Sequence, residues 1–289
     1  AELMLPGDEL MQMAGRAGRR GMDEVGYVYS QIVPEASDPK HIERILYGNT
    51  EKISSRFFAS YSTILNLYSR FGEGAFEIFR KSLRNYRKGA FSLTKSYRRE
   101  EAQIRNRIAF LESAGFLEGT ELTEKGSLAA VVSGYEIQAA ELYYTHSFDS
   151  CSPEQLTVLL GALITEESRS KRGARRHEAA SIRFRFSAEK VIRGLRKREM
   201  KFGIANPIPP MDFSLAAPIF AWANGCDLNE LLSFGVPEGD LIRTLRMTIQ
   251  LLRTLRDRLP DPILAEKMGD ARDLINRGVV DAQAQLEVR

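Results

Sequence analysis

A chain of 289 residues with a net charge of +3 and 43% hydrophobic residues is long enough for two modest domains with real cores, and its composition excludes wholesale disorder. Charge this mild also excludes a uniformly basic nucleic-acid binder, so any anionic partner must be met by local clusters of cations. Cys151 and Cys226 lack CxxC spacing and His41, His146 and His177 are scattered, which argues for a reducing compartment and against a zinc site.

The first predicted element is a helix from about Pro6 that carries the run Gln12-Met13-Ala14-Gly15-Arg16-Ala17-Gly18-Arg19-Arg20-Gly21-Met22-Asp23. A Gly21-Met22-Asp23 turn then leads to a β-rich strand, Tyr27 to Val33, stopped by Pro34. A polar linker, Glu35 to Lys40, precedes helical patterns in which Phe57, Phe58, Tyr61, Ile64, Leu65 and Tyr68 recur three and four residues apart. Gly72-Glu73-Gly74 breaks the series before Phe76 to Phe79 resumes it.

Residues Tyr97 to Ala129 read as a winged helix. Arg98 to Leu111 forms a helix with Ile104, Ile108 and Leu111 on one side, Ala114-Gly115 ends it, and Phe116-Leu117 and Leu122-Thr123 flank a short turn. Lys125 is the obvious phosphate ligand of this wing, and the competing reading is a packing module with no nucleic-acid contact. From Gly134 onward nearly every segment is helical. Leu156 to Ile164, the longest apolar stretch, is far shorter than the roughly 20 residues of a membrane span. Pro207-Ile208-Pro209-Pro210 makes a rigid corner, Trp222 anchors a helix core, and Pro260 and Pro262 interrupt near the end. The fold class is therefore mainly α.

Two features of this helical half bear on ligands. In the helix beginning near Glu238, Leu241, Leu245, Ile249 and Leu252 share one face while Arg243, Arg246, Gln250 and Arg253 gather on the opposite one. The apolar face must pack; the arginine face is either a binding surface or a solvated one. The segment Ser168 to Lys201 is the most basic of the chain, and its alternating Phe184-Arg185-Phe186 is more simply a half-buried element than a base-stacking platform.

The Gln12 to Asp23 run fits the QxxGRxGR element of superfamily 2 helicases, a coincidence of five fixed positions expected by chance in roughly one such chain in ten thousand. The bland alternative is a Gly-rich basic loop. Neither a GxxxxGK[ST] phosphate loop nor a DExH box occurs in the sequence, so the chain is expected to be the C-terminal part of a longer helicase. Together with Ser62 to Leu67, Leu159-Leu160 leading to Glu166-Glu167, Ile219 to Ala223 and Glu238 to Arg243, the motif resembles the DExH-box RNA helicases of the superkiller and exosome-associated group, which end in a DSHCT domain. Family members carry an inserted arch in the winged-helix region, and Tyr86 to Lys95 leaves no room for one.

The resemblance implies three parts: residues 1–34 as the end of a RecA-like α/β lobe, 35–133 as a winged-helix domain and 134–289 as a helical bundle. It implies that Gln12, Gly15, Arg16 and Arg19 face ATP and that Gln12, Arg16 and Arg19 act on its γ-phosphate, with Mg²⁺ as the metal of the intact enzyme. It also implies that Glu167, Arg243 and Arg246 contact single-stranded RNA, Glu167 by orienting a base or ribose hydroxyl. By the same resemblance the parent is an ATP-dependent RNA helicase of RNA processing or decay, with decay or processing proteins as partners, no membrane, and a cytoplasmic setting shared with bacterial-type or organellar relatives. The chain alone is expected to bind RNA, hold no cofactor and hydrolyse nothing. The rival readings are a DNA-repair helicase of the same architecture and a winged-helix binding or docking module unconnected with ATP.

Overall fold

A computed structural model describes residues 7–18, 21–29, 43, 45, 59–82, 95–165 and 182–281. The chain divides into two compact units, Ala1–Arg56 and Phe57–Arg289. In the first, α1 (Gly7–Ala14) is continued by turn hydrogen bonds from Gly15 N to Met11 O (2.9 Å) and from Arg16 N to Met13 O (3.0 Å). The chain then folds back so closely that a Cβ on Gly26 would lie 2.5 Å from the Ala17 carbonyl oxygen; only glycine allows that approach. The strand expected over Tyr27 to Val33 is not formed in its described part. Tyr27 to Tyr29 are exposed and join no sheet, since among the described residues of this unit no second strand offers a ladder.

The second unit is mainly helical around one continuous core. Ser60 caps α2 (Tyr61–Phe71) by accepting from Thr63 N, and Tyr61, Ile64 and Leu65 turn inward as their spacing predicts. A 3₁₀ turn at Gly72–Gly74 leads into α3 (Ala75–Arg80), which buries Phe76 and Phe79. In α4 (Lys95–Ser113) the predicted stripe of Ile104, Ile108 and Leu111 is buried. The helix closes with Phe116 N returning to Leu111 O (2.9 Å).

Where the sequence predicts a wing, the chain forms a hairpin of two-residue strands, β1 (Leu117–Glu118) and β2 (Glu121–Leu122), antiparallel with Leu117 opposite Leu122 and Glu118 opposite Glu121. So short a hairpin cannot stand alone and leans on its neighbours. Thr123 caps α5 (Glu124–Val131) through Gly126 N (3.0 Å) and donates to Gly115 O (2.8 Å). Lys125, the expected phosphate ligand, is instead a pin: its ammonium donates to Ala114 O (3.0 Å), pairs with Glu141 and lies 4.3 Å from the centre of the Phe116 ring. Desolvation explains the outcome, because a cation this close to the core must be paired.

After α6 (Glu136–Tyr144), the apolar stretch becomes α7 (Pro153–Ile164), started by Pro153 and a Ser152–Gln155 capping box and buried from Leu156 to Ile164. It is the central rod of a helical layer. Three helices pack on it: α9 (Ala216–Ala223), α11 (Glu238–Arg258) and α12 (Pro262–Ile275). Burying each of Leu156, Leu159 and Leu160 contributes about 1.5–3 kcal/mol relative to exposure. Among the described residues no helix is long and apolar enough to cross a membrane.

Between α8 (Ile182–Lys201) and α9 the proline corner is stapled on both sides of Ile208, whose N–H donates to Glu199 Oε2 (2.9 Å) and whose carbonyl accepts from Arg196 Nε (2.7 Å). Beyond α9 a short α10 (Leu228–Leu232) leads to α11, and Asp261 caps α12 from the Pro260–Pro262 break. Trp222 is the anchor its sequence context suggests. Its indole N–H donates to Ile275 O (2.9 Å), and the Arg277 guanidinium stacks 3.8 Å from its ring centre while bonding the carbonyls of Trp222 and Cys226. A 3₁₀ turn, Gly278–Val280, ends the described chain.

Candidate nucleic-acid interface

Helix α11 carries the arrangement its periodicity predicts. Leu241, Leu245, Ile249 and Leu252 are buried, and Arg243, Arg246 and Gln250 lie on the exposed side, with Arg253 half-buried. Acidic Glu238 and Asp240 occupy the first turn and Arg256 and Arg258 the last, the distribution that the helix dipole favours at each end. The Arg246 guanidinium donates to Val280 O (3.2 Å) through Nε and to Val279 O (2.7 Å) through Nη2, so it braces the terminal 3₁₀ turn. Arg243 lies three residues earlier on the same outer face.

Helix α8 sorts the basic segment in a way composition could not. Arg185 pairs with Glu189 (3.0 Å) and stacks 4.7 Å from the Phe213 ring centre, Arg196 holds the Ile208 carbonyl and Arg198 holds Ser113 O (2.6 Å). Lys190, Arg193, Lys197 and Lys201 are all exposed, and at about 100° per residue they fall within an arc of about 80°. None of the four has a hydrogen-bond or ion-pair partner among the described residues. Sequence reading recognised the charge of this segment but not the stripe, although the spacing of 190, 193, 197 and 201 was there to be read. Phe184 packs on the core while Phe186 is 61% exposed, the half-buried pattern expected, realised on a helix.

A buried polar knot lies beneath α8. Glu199, with no exposed surface, accepts from Tyr61 Oη (2.5 Å) and Ile208 N. Arg107 donates to Ala59 O (3.0 Å), with its guanidinium 5.5 Å from the Tyr61 ring centre. Burial raises the Glu199 carboxyl above its ordinary pKa, against the opposing pull of its donors and of Arg107. Burial also raises the Tyr61 phenol, Glu199 adding to it, and lowers the Arg107 guanidinium. The knot fastens the start of α2 to the end of α8. Chemistry elsewhere is sparse: burial pushes the Cys151 thiol up to about 11, leaving it protonated, and no metal-binding group occurs among the described residues.

In the first unit Gln12 is on the last turn of α1, with Gly15 and Arg16 in the turn that follows, and all three are exposed. The motif therefore straddles a helix end rather than sitting within the helix. Arg19, Glu167 and the basic run Ser168 to Arg176 lie outside the described residues, as does most of the Tyr86 to Lys95 segment where an arch would be inserted.

Comparison with known proteins gives this helical layer a family. The model of the DSHCT (NUC185) domain matches residues 119–283, more than half of the chain. The chain belongs to the DSHCT domain family, and its relatives place it with the C-terminal region of the superkiller and exosome-associated DExH-box helicases. It is 44% identical over 63 residues to the ATP-dependent RNA helicase mtr4 of Schizosaccharomyces pombe, covering 22% of the chain and 6% of that protein. It is 45% identical over 67 residues to human Superkiller complex protein 2, covering 22% and 5%. To the chloroplastic DExH-box ATP-dependent RNA helicase DExH15 of Arabidopsis thaliana it is 33% identical over 127 residues, covering 37% and 10%. These matches span a tenth or less of the relatives' own length.

Proposed function

We propose that this chain guides single-stranded RNA within an ATP-dependent RNA helicase of RNA processing or decay. The observation that carries the reading is the pair of outward cationic surfaces, the Lys190–Arg193–Lys197–Lys201 stripe of α8 and the Arg243 side of α11, within a DSHCT domain. Phosphates meet the α8 stripe, whose ammonium groups suit contacts that ignore sequence, while Arg243 presents a planar fork to a base edge or phosphate. Glu167 orients a base or ribose hydroxyl, and Arg246, braced on the terminal turn, lends charge to the Arg243 side of α11.

Gln12, Gly15, Arg16 and Arg19 would help hold ATP in the intact enzyme, where Gln12, Arg16 and Arg19 would act at the γ-phosphate, the arginines stabilising its charge, and Mg²⁺ would supply charge neutralisation. Residues 1–34 end a RecA-like lobe, 35–133 form the winged helix and 134–289 the bundle. The 289-residue chain alone binds RNA and turns over no ATP. The setting is cytoplasmic or organellar, with RNA-decay or processing proteins as partners.

Anisotropy titration with labelled single-stranded RNA, competed by single-stranded DNA of matched sequence, tests the substrate; equal competition by DNA would favour the repair-helicase reading. ATP hydrolysis by the purified chain above that of an Arg16→Ala, Arg19→Ala double variant would overturn the claim that it is inactive alone.

A further inference from the structure

The outer arc of α8 holds more than its cations. Phe186, seven residues before Arg193 and eleven before Lys197, falls between the two at about 100° per residue. Its ring is 61% exposed and touches neither the core nor another ring among the described residues, whereas Phe184 turns inward. One exposed ring is ordinary by itself; a second irregularity lies beside it. Gly194 sits in the interior of the helix, where glycine is less stable than alanine, yet a Cβ there would meet nothing within 4 Å. Packing does not call for glycine at this position. It is flanked by Lys190 four residues before, Lys197 three after and Lys201 seven after, so it opens a notch to bare backbone among three ammonium groups. No acid of the described helix interrupts the arc, since Glu189 is held by Arg185 and Glu199 is buried.

We infer that α8 takes a single strand of RNA along this arc, with one base stacked on Phe186 and the sugar-phosphate backbone seated in the Gly194 notch. The inference rests on the RNA reading and adds two uncharged residues to it. Long cationic side chains by themselves hold a phosphate away from the helix; the notch lets one phosphate reach the helix surface and be met by Lys190, Lys197 and Lys201 together. Successive cations stand about 4.5 to 6 Å apart along the axis, a step that suits consecutive phosphates of an extended strand. Stacking tolerates every base and is strongest for purines, so Phe186 gives the strand a register and a mild purine preference without reading a hydrogen-bond pattern. An acidic polypeptide fits less well. A docked peptide helix needs apolar anchors met at close, regular spacing, whereas the arc offers Phe186 and, about 21 Å further along, Met200, with cations between them.

The test uses the full 289-residue chain with oligoadenylate and oligouridylate, and with polyglutamate and inorganic polyphosphate as probes of charge alone. Phe186→Ala should weaken oligoadenylate by about fivefold and polyphosphate by less than about twofold. Gly194→Leu should weaken oligoadenylate by about fivefold while the melting temperature holds or rises by about 1–3 °C, because leucine is the better helix former and the space is open. A packing role for this glycine would instead lower the melting temperature. In Phe186→Trp the emission of the new indole should be quenched by oligoadenylate, less by oligouridylate, and by neither polyglutamate nor polyphosphate; the buried Trp222 supplies the background recorded in the unsubstituted chain. RNA affinity that is lost on replacing the four cations yet indifferent to Phe186→Ala or to Gly194→Leu would overturn the inference and leave the RNA reading standing. Affinity indifferent to the four cations would remove both. Quenching by polyglutamate as strong as by RNA would overturn the inference in favour of an acidic protein on this face.

Discussion

Helices α8 and α11 are both arginine-rich amphipathic rods, yet the molecule spends their cations differently. On α11, Arg246 is drawn onto the carbonyls of Val279 and Val280. On α8, Arg185, Arg196 and Arg198 are engaged by the protein itself, while three lysines and Arg193 line the outer face without partners among the described residues. On these two helices the cations that fasten the fold are guanidinium groups, planar and weakly hydrated, whereas the strongly hydrated ammonium groups of α8 stay outside. A basic segment is therefore not yet a basic surface, and the internal bonds must be subtracted first.

This division can be broken by experiment. The largest effect should come from replacing Lys190, Arg193, Lys197 and Lys201 together with Ala: at about −0.7 per contact for a single strand, the log–log salt slope of RNA binding should flatten by about 2.8. A slope unchanged across a salt series would mean that the stripe is merely solvated. Next, Arg243→Ala should weaken RNA by about fivefold to tenfold, and Arg246→Ala, which loses the Val279 and Val280 carbonyls, should lower the melting temperature by about 2–6 °C. Calorimetry and anisotropy on the same two variants sharpen the contrast, and a reversed pattern would exchange their roles.

The smallest effect concerns pH. Burial raises the Glu199 pKa in the folded chain, so the folded state holds this proton at pH values where the unfolded carboxyl, with a pKa of about 4.3, has lost it. The contribution to stability is thus fully present below about pH 4.3 and declines as pH rises toward the folded value, by at most about 1.4 kcal/mol per pH unit. Denaturant titrations of wild type and Glu199→Gln across this range should differ in slope by less than one proton, the variant being the flatter.

What could be read from sequence follows the range of the forces involved. The buried stripe of α11 and the hairpin between Leu117 and Leu122 were legible, because helical periodicity and turn chemistry are local. Lys125 was not: a lysine in a wing looks like a phosphate ligand until Ala114 O and Glu141 are brought beside it. Nor was Glu199, a buried acceptor for Tyr61, 138 residues away in sequence. The bracing role of Arg246 was not legible from spacing, since it depends on the path of the chain after α12. The strand expected from Tyr27 onward failed in its described residues because strand propensity is realised only beside a partner.

At Gly126 a Cβ would stand 1.9 Å from the carbonyl oxygen of Phe116, and that oxygen belongs to backbone already tied to Thr123 N (3.2 Å), so it has nowhere to retreat. Position 126 is thus a gauge of the hairpin's integrity through evolution and mutagenesis alike. In a saturation library scored for soluble expression, all nineteen replacements should be depleted there, alanine included, while neighbouring exposed Ser127 tolerates several; and any natural relative carrying a side chain at this place must have rebuilt its hairpin.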